Sequence, residues 1–130
     1  MLCTMARILI IEDNPWNIQI AELLLLRAGH EVLQATDAPQ GIALARSALP
    51  QLILMDLNLP GMDGLAATRQ LKQDAATRAI KIHAYTPFFS ELDDPAEYVK
   101  IKAAGCDGII PKNASQADFL AAVVKALAET

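Results

Sequence analysis

Short unbroken apolar runs alternate along the chain with longer stretches in which apolar residues recur every three or four positions. The first pattern suits strands buried on both faces, the second suits amphipathic helices. Ile8 to Ile11 is the first run, and Glu12, Asp13 and Asn14 end it. Asn14 can cap a helix that begins at Pro15, where a missing N–H costs nothing. Ile18, Leu25 and Ala28 lie on one side of that helix, which should stop at Gly29. Val32 to Ala35 reads as a second strand. Asp37 then caps a helix with Gln40 placed for a capping box. Its expected buried face is Ile42, Ala45 and Leu49, with Pro50 just beyond its end.

The stretch Gln51 to Gly64 is the most informative in the chain. Leu52, Ile53, Leu54 and Met55 form an apolar run that ends on Asp56, followed by the turn formers Asn58, Pro60, Gly61, Asp63 and Gly64. A carboxylate therefore stands where a central strand gives way to a loop. Leu65, Thr68 and Leu71 lie on one side of a third helix. Ile80 to Tyr85 is the fourth strand; His83 within it reads as a structural residue, and Thr86 ends it. After the loop PFFSELD, Asp94 caps a helix with Pro95 first and Glu97 three residues after the cap, ending at Gly105. Gly108 to Pro111 is a short last strand running to Lys112. Ser115 opens a helix whose apolar side is Phe119, Leu120, Val123, Val124 and Leu127.

Such alternation predicts an α/β fold: a doubly wound, flavodoxin-like, five-stranded parallel sheet of order 2-1-3-4-5, with helices on both faces and right-handed crossovers. The length of 130 residues fits one domain, residues 1–130 with a core of about 7–127. Hydrophobic residues make up 53% and charged residues 20%, which excludes a disordered chain. A net charge of −4 without a basic stripe argues against direct nucleic-acid binding. Cys3 and Cys106 form no disulfide framework and read as thiols in a reducing cytoplasm. No apolar run approaches a membrane span, and the first residues do not read as a secretory signal.

In the expected order, strands one and three are neighbours at the switch point where such sheets bind ligands. Their ends carry Glu12, Asp13 and Asp56. Three carboxylates at one edge repel each other unless a cation joins them, and hard oxygen donors favour Mg²⁺. The fourth strand ends in the hydroxyl of Thr86 and the fifth in the ammonium of Lys112. That set suits phosphoryl transfer: Asp56 as nucleophile, Mg²⁺ offsetting charge, Lys112 and Thr86 holding the transferred oxygens.

These residues resemble the receiver domain of bacterial two-component response regulators. The likeness runs from about Arg7 to Leu127 and is carried by ILIIEDN, LILMDLNLPGMDG, Thr86 and AAGCDGIIPK. It implies that Asp56 accepts a phosphoryl group from a histidine kinase or histidine phosphotransfer protein. It implies Mg²⁺ held by Glu12 or Asp13, by Asp56 and by the main-chain carbonyl of Asn58. It further implies that Thr86 moves towards the phosphoryl group, that Lys112 pairs with it, and that a downstream protein reads the fourth helix, fifth strand and fifth helix. In the family, the main-chain N–H after the threonine is one of the donors to the phosphoryl group.

The sequence departs from that pattern at four places. Ile109 stands where a switching Tyr or Phe is usual, Asn113 where a proline follows the lysine, and Pro87 where a small residue follows the threonine. The loop after Thr86 is also longer than usual. The departures concern the reporting of phosphorylation, while the acidic set is intact. The alternative reading is therefore a receiver-like docking module that no longer switches. An aspartyl-phosphate hydrolase would carry a second acid at Asn58, and a flavin module would not place Glu12 and Asp13 against a phosphate. The expectation is of a domain that is not a turnover enzyme on a small substrate. Phe88 and Phe89 are expected either to pack under the fourth helix or to form a partner contact. The few residues after Leu127 fit both a free-standing regulator and a domain of a longer chain.

Overall fold

The computed structural model of the protein describes residues 5–87 and 94–128. Cys3, Phe88 and Phe89, for which expectations were stated, lie outside the described residues. Among the described residues, five strands and five helices alternate: β1 Arg7–Ile11, α1 Pro15–Arg27, β2 Glu31–Ala35, α2 Ala38–Ala48, β3 Leu52–Asp56, α3 Gly64–Gln73, β4 Lys81–Thr86, α4 Pro95–Ala104, β5 Gly108–Pro111 and α5 Gln116–Ala128. The sheet is parallel in the expected order β2-β1-β3-β4-β5. Every residue of β3 is buried, as suits a central strand covered on both faces.

Side chains alternate across a strand, so each strand feeds two cores. Ile8 and Ile10 of β1, Leu52 and Leu54 of β3, Tyr85 and Ile110 pack with α1 and α5. Leu9, Ile11, Ile53, Met55 and Ile82 pack on the other side with α2 and α3. Burial of aliphatic side chains at this density contributes roughly 1.5–3 kcal/mol for each large residue.

The expected helix starts form by the expected chemistry. Asn14 accepts from the N–H groups of Trp16 and Asn17, Asp37 from Gln40, and Asp94 from Glu97. The Gln40 side chain returns to the N–H of Thr36, one residue before the cap. Asp63 caps α3 through the Ala66 N–H at 2.8 Å. Gly29 and Gly105 follow α1 and α4 with φ of 94° and 104°, where glycine carries no steric penalty.

Three residues read as lying on the apolar side of a helix are exposed. Leu49 is 56% exposed. It takes the left-handed cap of α2 at φ 48°, its N–H donating to the Ala45 carbonyl, and so falls at the end of the helix and not within its buried stripe. Ala28 is the exposed C-cap of α1. Val124 is exposed because Phe119, Val123 and Ala126 define the stripe of α5, and Val124 is turned about 100° from Val123.

Candidate functional site

The strand period assembles the site. Glu12 continues the parity of Ile8 and Ile10, Asp56 that of Leu52 and Leu54, and Lys112 that of Ile110. All three therefore lie on the α1–α5 side, at the carboxyl ends of β1, β3 and β5. Glu12, Asp13 and Asp56 offer carboxylate oxygens that all lie within 4.8 Å of one another. Glu12 and Asp56 are buried, whereas Asp13 is exposed.

Lys112 reaches both buried acids. Its Nζ is 2.6 Å from Glu12 Oε1 and 3.2 Å from Asp56 Oδ1. Glu12 accepts two further hydrogen bonds: Oε2 from the Asn14 N–H at 2.9 Å, and Oε1 from the Asn17 side-chain amide at 3.4 Å. Burial pushes the Glu12 carboxyl above its usual range, and the charge of Asp56 adds to this. The Lys112 ammonium and the Asn14 N–H pull in the other direction.

The turn formers after β3 do specific work. The Asn58 N–H donates to Asp56 Oδ1 at 3.0 Å, turning the chain back onto the carboxylate. The Gly64 N–H donates to the Leu57 carbonyl at 3.3 Å, and a Cβ on Gly64 would collide with the Asp56 carbonyl oxygen. Glycine is required there by close approach. Thr86 is buried at the end of β4, and its carbonyl accepts from the Lys112 N–H at 2.9 Å. The two strand ends are thus joined directly. Pro87 is exposed beside them, and the bond between Lys112 and Asn113 is trans.

So the fold gathers Glu12, Asp13, Asp56 and Lys112 into one cluster, with Asn58 hydrogen-bonded to it and Thr86 on the adjoining strand end. Three carboxylates, two of which share the Lys112 ammonium, form a donor set suited to a small, hard cation. Sequence reasoning missed Asn17, whose amide supports Glu12 from the first turn of α1. It also missed Tyr85, which pairs with Asp56 across β3 and β4. The signal for Tyr85 was a ring bearing a hydroxyl at the strand end, next to Thr86.

Comparison with known proteins points the same way. The family described as response regulator receiver domain matches residues 8–124. Protein PilH of Pseudomonas aeruginosa is 44% identical over 89 residues, covering 68% of this chain and 74% of that protein. The polar-differentiation response regulator DivK of Brucella anthropi is 34% identical over 113 residues, covering 87% of this chain and 89% of its own. Among solved structures, the receiver domain of a sensor histidine kinase from Pseudomonas aeruginosa is similar at a TM-score of 0.84 and 28% identity. The match covers 97% of this chain and 100% of that one, which holds a magnesium ion in its active site cleft.

Proposed function

This chain belongs to the family of response regulator receiver domains, and from that premise we propose that Asp56 is its phosphoacceptor in two-component signalling. The observation that carries the assignment is the setting of Asp56. Its carboxylate is 3% exposed at the switch point, held by the Asn58 N–H and the Lys112 ammonium. Asp63, the other acid of the same loop, is committed to capping α3.

In the transfer, an Asp56 oxygen forms the new O–P bond as the N–P bond to the donor imidazole breaks. The electron pair of that bond leaves with the imidazole nitrogen. Lys112 stands where charge develops on the transferred oxygens, and the Thr86 hydroxyl is the candidate donor from the neighbouring strand. Glu12 or Asp13, Asp56 and the Asn58 main-chain carbonyl would hold Mg²⁺. When bound, Mg²⁺ offsets the negative charge of the reacting phosphoryl group.

The donor is a histidine kinase or a histidine phosphotransfer protein. The output surface is the face of α4, β5 and α5, supported by the exposed Val99 of α4 and Val124 of α5. Residues 1–130 act as a single receiver domain with a core of about 7–127, working as a switch and not as a turnover enzyme. A cytoplasmic location follows from such partners; among the described residues, no helix is long and apolar enough to cross a membrane.

Mass spectrometry after incubation with acetyl phosphate and Mg²⁺ tests the assignment. Wild type is expected to gain one phosphoryl group and Asp56→Asn none. Label mapped to Asp13 or Asp63 would overturn it. A second reading, a docking module that no longer switches, is favoured by Pro87 and Ile109 at reporting positions. Failure of Asp56 to take up beryllofluoride with Mg²⁺ would support that reading.

A further inference from the structure

We infer that Tyr85 is a positioning residue for phosphoryl transfer: its ring face holds the Lys112 ammonium against Glu12 and Asp56. The inference rests on the roles proposed above for Asp56 and Lys112.

Lysine is a long, flexible side chain, and a strand end by itself does not fix where its ammonium goes. Here the ammonium is bounded on two sides by carboxylate oxygens of Glu12 and Asp56. On a third it lies over the Tyr85 ring, 5.6 Å from the centroid. That is within the range at which the negative face of an aromatic ring attracts a cation. The position of the ring is set by the sheet. Tyr85 pairs with Asp56 of β3 on one side and with Ile110 of β5 on the other. It therefore stands between the strand that ends in the acceptor and the strand that leads to the lysine.

The ring has little freedom to follow the lysine away from the site. Tyr85 is 5% exposed, and Phe119 of α5 packs against it with centroids 5.9 Å apart and planes at 51°. Burial pushes the Tyr85 hydroxyl up to about 12, with the charges of Glu12 and then Asp56 adding to the effect. The phenol is therefore neutral, and the attraction comes from the ring face and not from an ion pair. An aliphatic residue could fill the same volume in the α1–α5 core. It could not attract the ammonium, which would then be held by the carboxylates alone. Those same carboxylates are the ones a metal and a phosphoryl group must engage, so an independent hold on Lys112 has a use during transfer.

The test is a Mg²⁺–beryllofluoride titration of wild type, Tyr85→Phe, Tyr85→Leu and Tyr85→Met, each also made in a Lys112→Met background. Initial labelling rates with acetyl phosphate give a second readout, and thermal melts establish that each variant is folded. Tyr85→Phe is expected to match wild type. Tyr85→Leu and Tyr85→Met should bind roughly three- to tenfold more weakly, the range of a partly desolvated cation–ring contact. In the Lys112→Met background, the Tyr85 substitutions should make no further difference, because the group they act through is gone. The inference is overturned if Tyr85→Leu and Tyr85→Met bind like wild type. A loss of equal size in both backgrounds, or a loss in Tyr85→Phe, overturns it too. Failure of wild type itself to bind beryllofluoride would instead overturn the assignment of Asp56.

Discussion

The Lys112 ammonium lies 2.6 Å from Glu12 Oε1, closer than to the proposed acceptor Asp56 at 3.2 Å. A buried acid of β1's end and a lysine beyond β5 are thus paired across the top of the sheet. Both carboxylates that the ammonium touches belong to the candidate metal set.

The ammonium and a divalent cation therefore compete for the same oxygens. Lys112→Met should tighten Mg²⁺ binding by roughly three- to tenfold, as expected for removing a unit charge close to the site in a partly screened setting. The same substitution should weaken beryllofluoride binding. Trp16, on the first turn of α1 and largely exposed, supplies the fluorescence signal. Asp13→Asn should abolish the Mg²⁺ response; a variant that responds like wild type would remove Asp13 from the ligand set.

Gly64 governs the acceptor's backbone. A Cβ there meets the Asp56 carbonyl oxygen and the Leu57 Cα, both main-chain atoms that cannot move independently of the site. Gly64→Ala should lower stability by about 1–3 kcal/mol, the usual cost of overpacking. Metal and beryllofluoride affinity should fall with it. Denaturant unfolding and titration of the same variant check this; normal affinity with normal stability would mean that α3 shifts freely.

His30 makes stability depend on pH. It is buried, its Nδ1 accepts the Ala6 N–H at 3.2 Å, and burial lowers its pKa from the ordinary 6.5. Above that value both folded and unfolded chains hold a neutral imidazole, and the contribution is complete. As pH falls below 6.5, the unfolded chain takes up the proton first, so stability declines until the lowered folded value is reached. The slope is at most one proton, about 1.4 kcal/mol per pH unit. Subtracting the profile of His30→Asn from that of wild type between pH 5 and 7 should isolate this component. Parallel profiles would assign the acid sensitivity to other groups.

Pro87 removes a donor. It has no N–H, and it biases Thr86 towards an extended backbone. In the structure, Thr86 is buried and its carbonyl is tied to Lys112. Pro87→Ala should tighten beryllofluoride binding by roughly tenfold, the value of one hydrogen bond to a charged group at the low end. Equal affinity for wild type and Pro87→Ala, with a loss in Ser90→Ala, would show that the longer loop supplies the donor instead.

What the chain determines by itself is local. The all-apolar run of β3 states that this strand is central. Asn14 before Pro15, and Asp94 before Pro95, state where helices start, because a cap and its N–H partners are close in sequence. From that alternation the sheet order follows, and with it the meeting of Glu12, Asp13 and Asp56 at one edge. Where the pattern misled, at Leu49 and Val124, the error lay at a helix end and at the rim of a stripe. There one residue's rotation decides between core and solvent.

Tertiary structure alone decided how the assembled groups are held. Nothing near Lys112 in sequence says that its ammonium prefers Glu12, or that Tyr85 lies beneath it. Those relations depend on the register of β3, β4 and β5 and on the packing of α5 against Tyr85. A flexible lysine takes its direction from charges and ring faces brought together by distant strands, and only the folded sheet places them there.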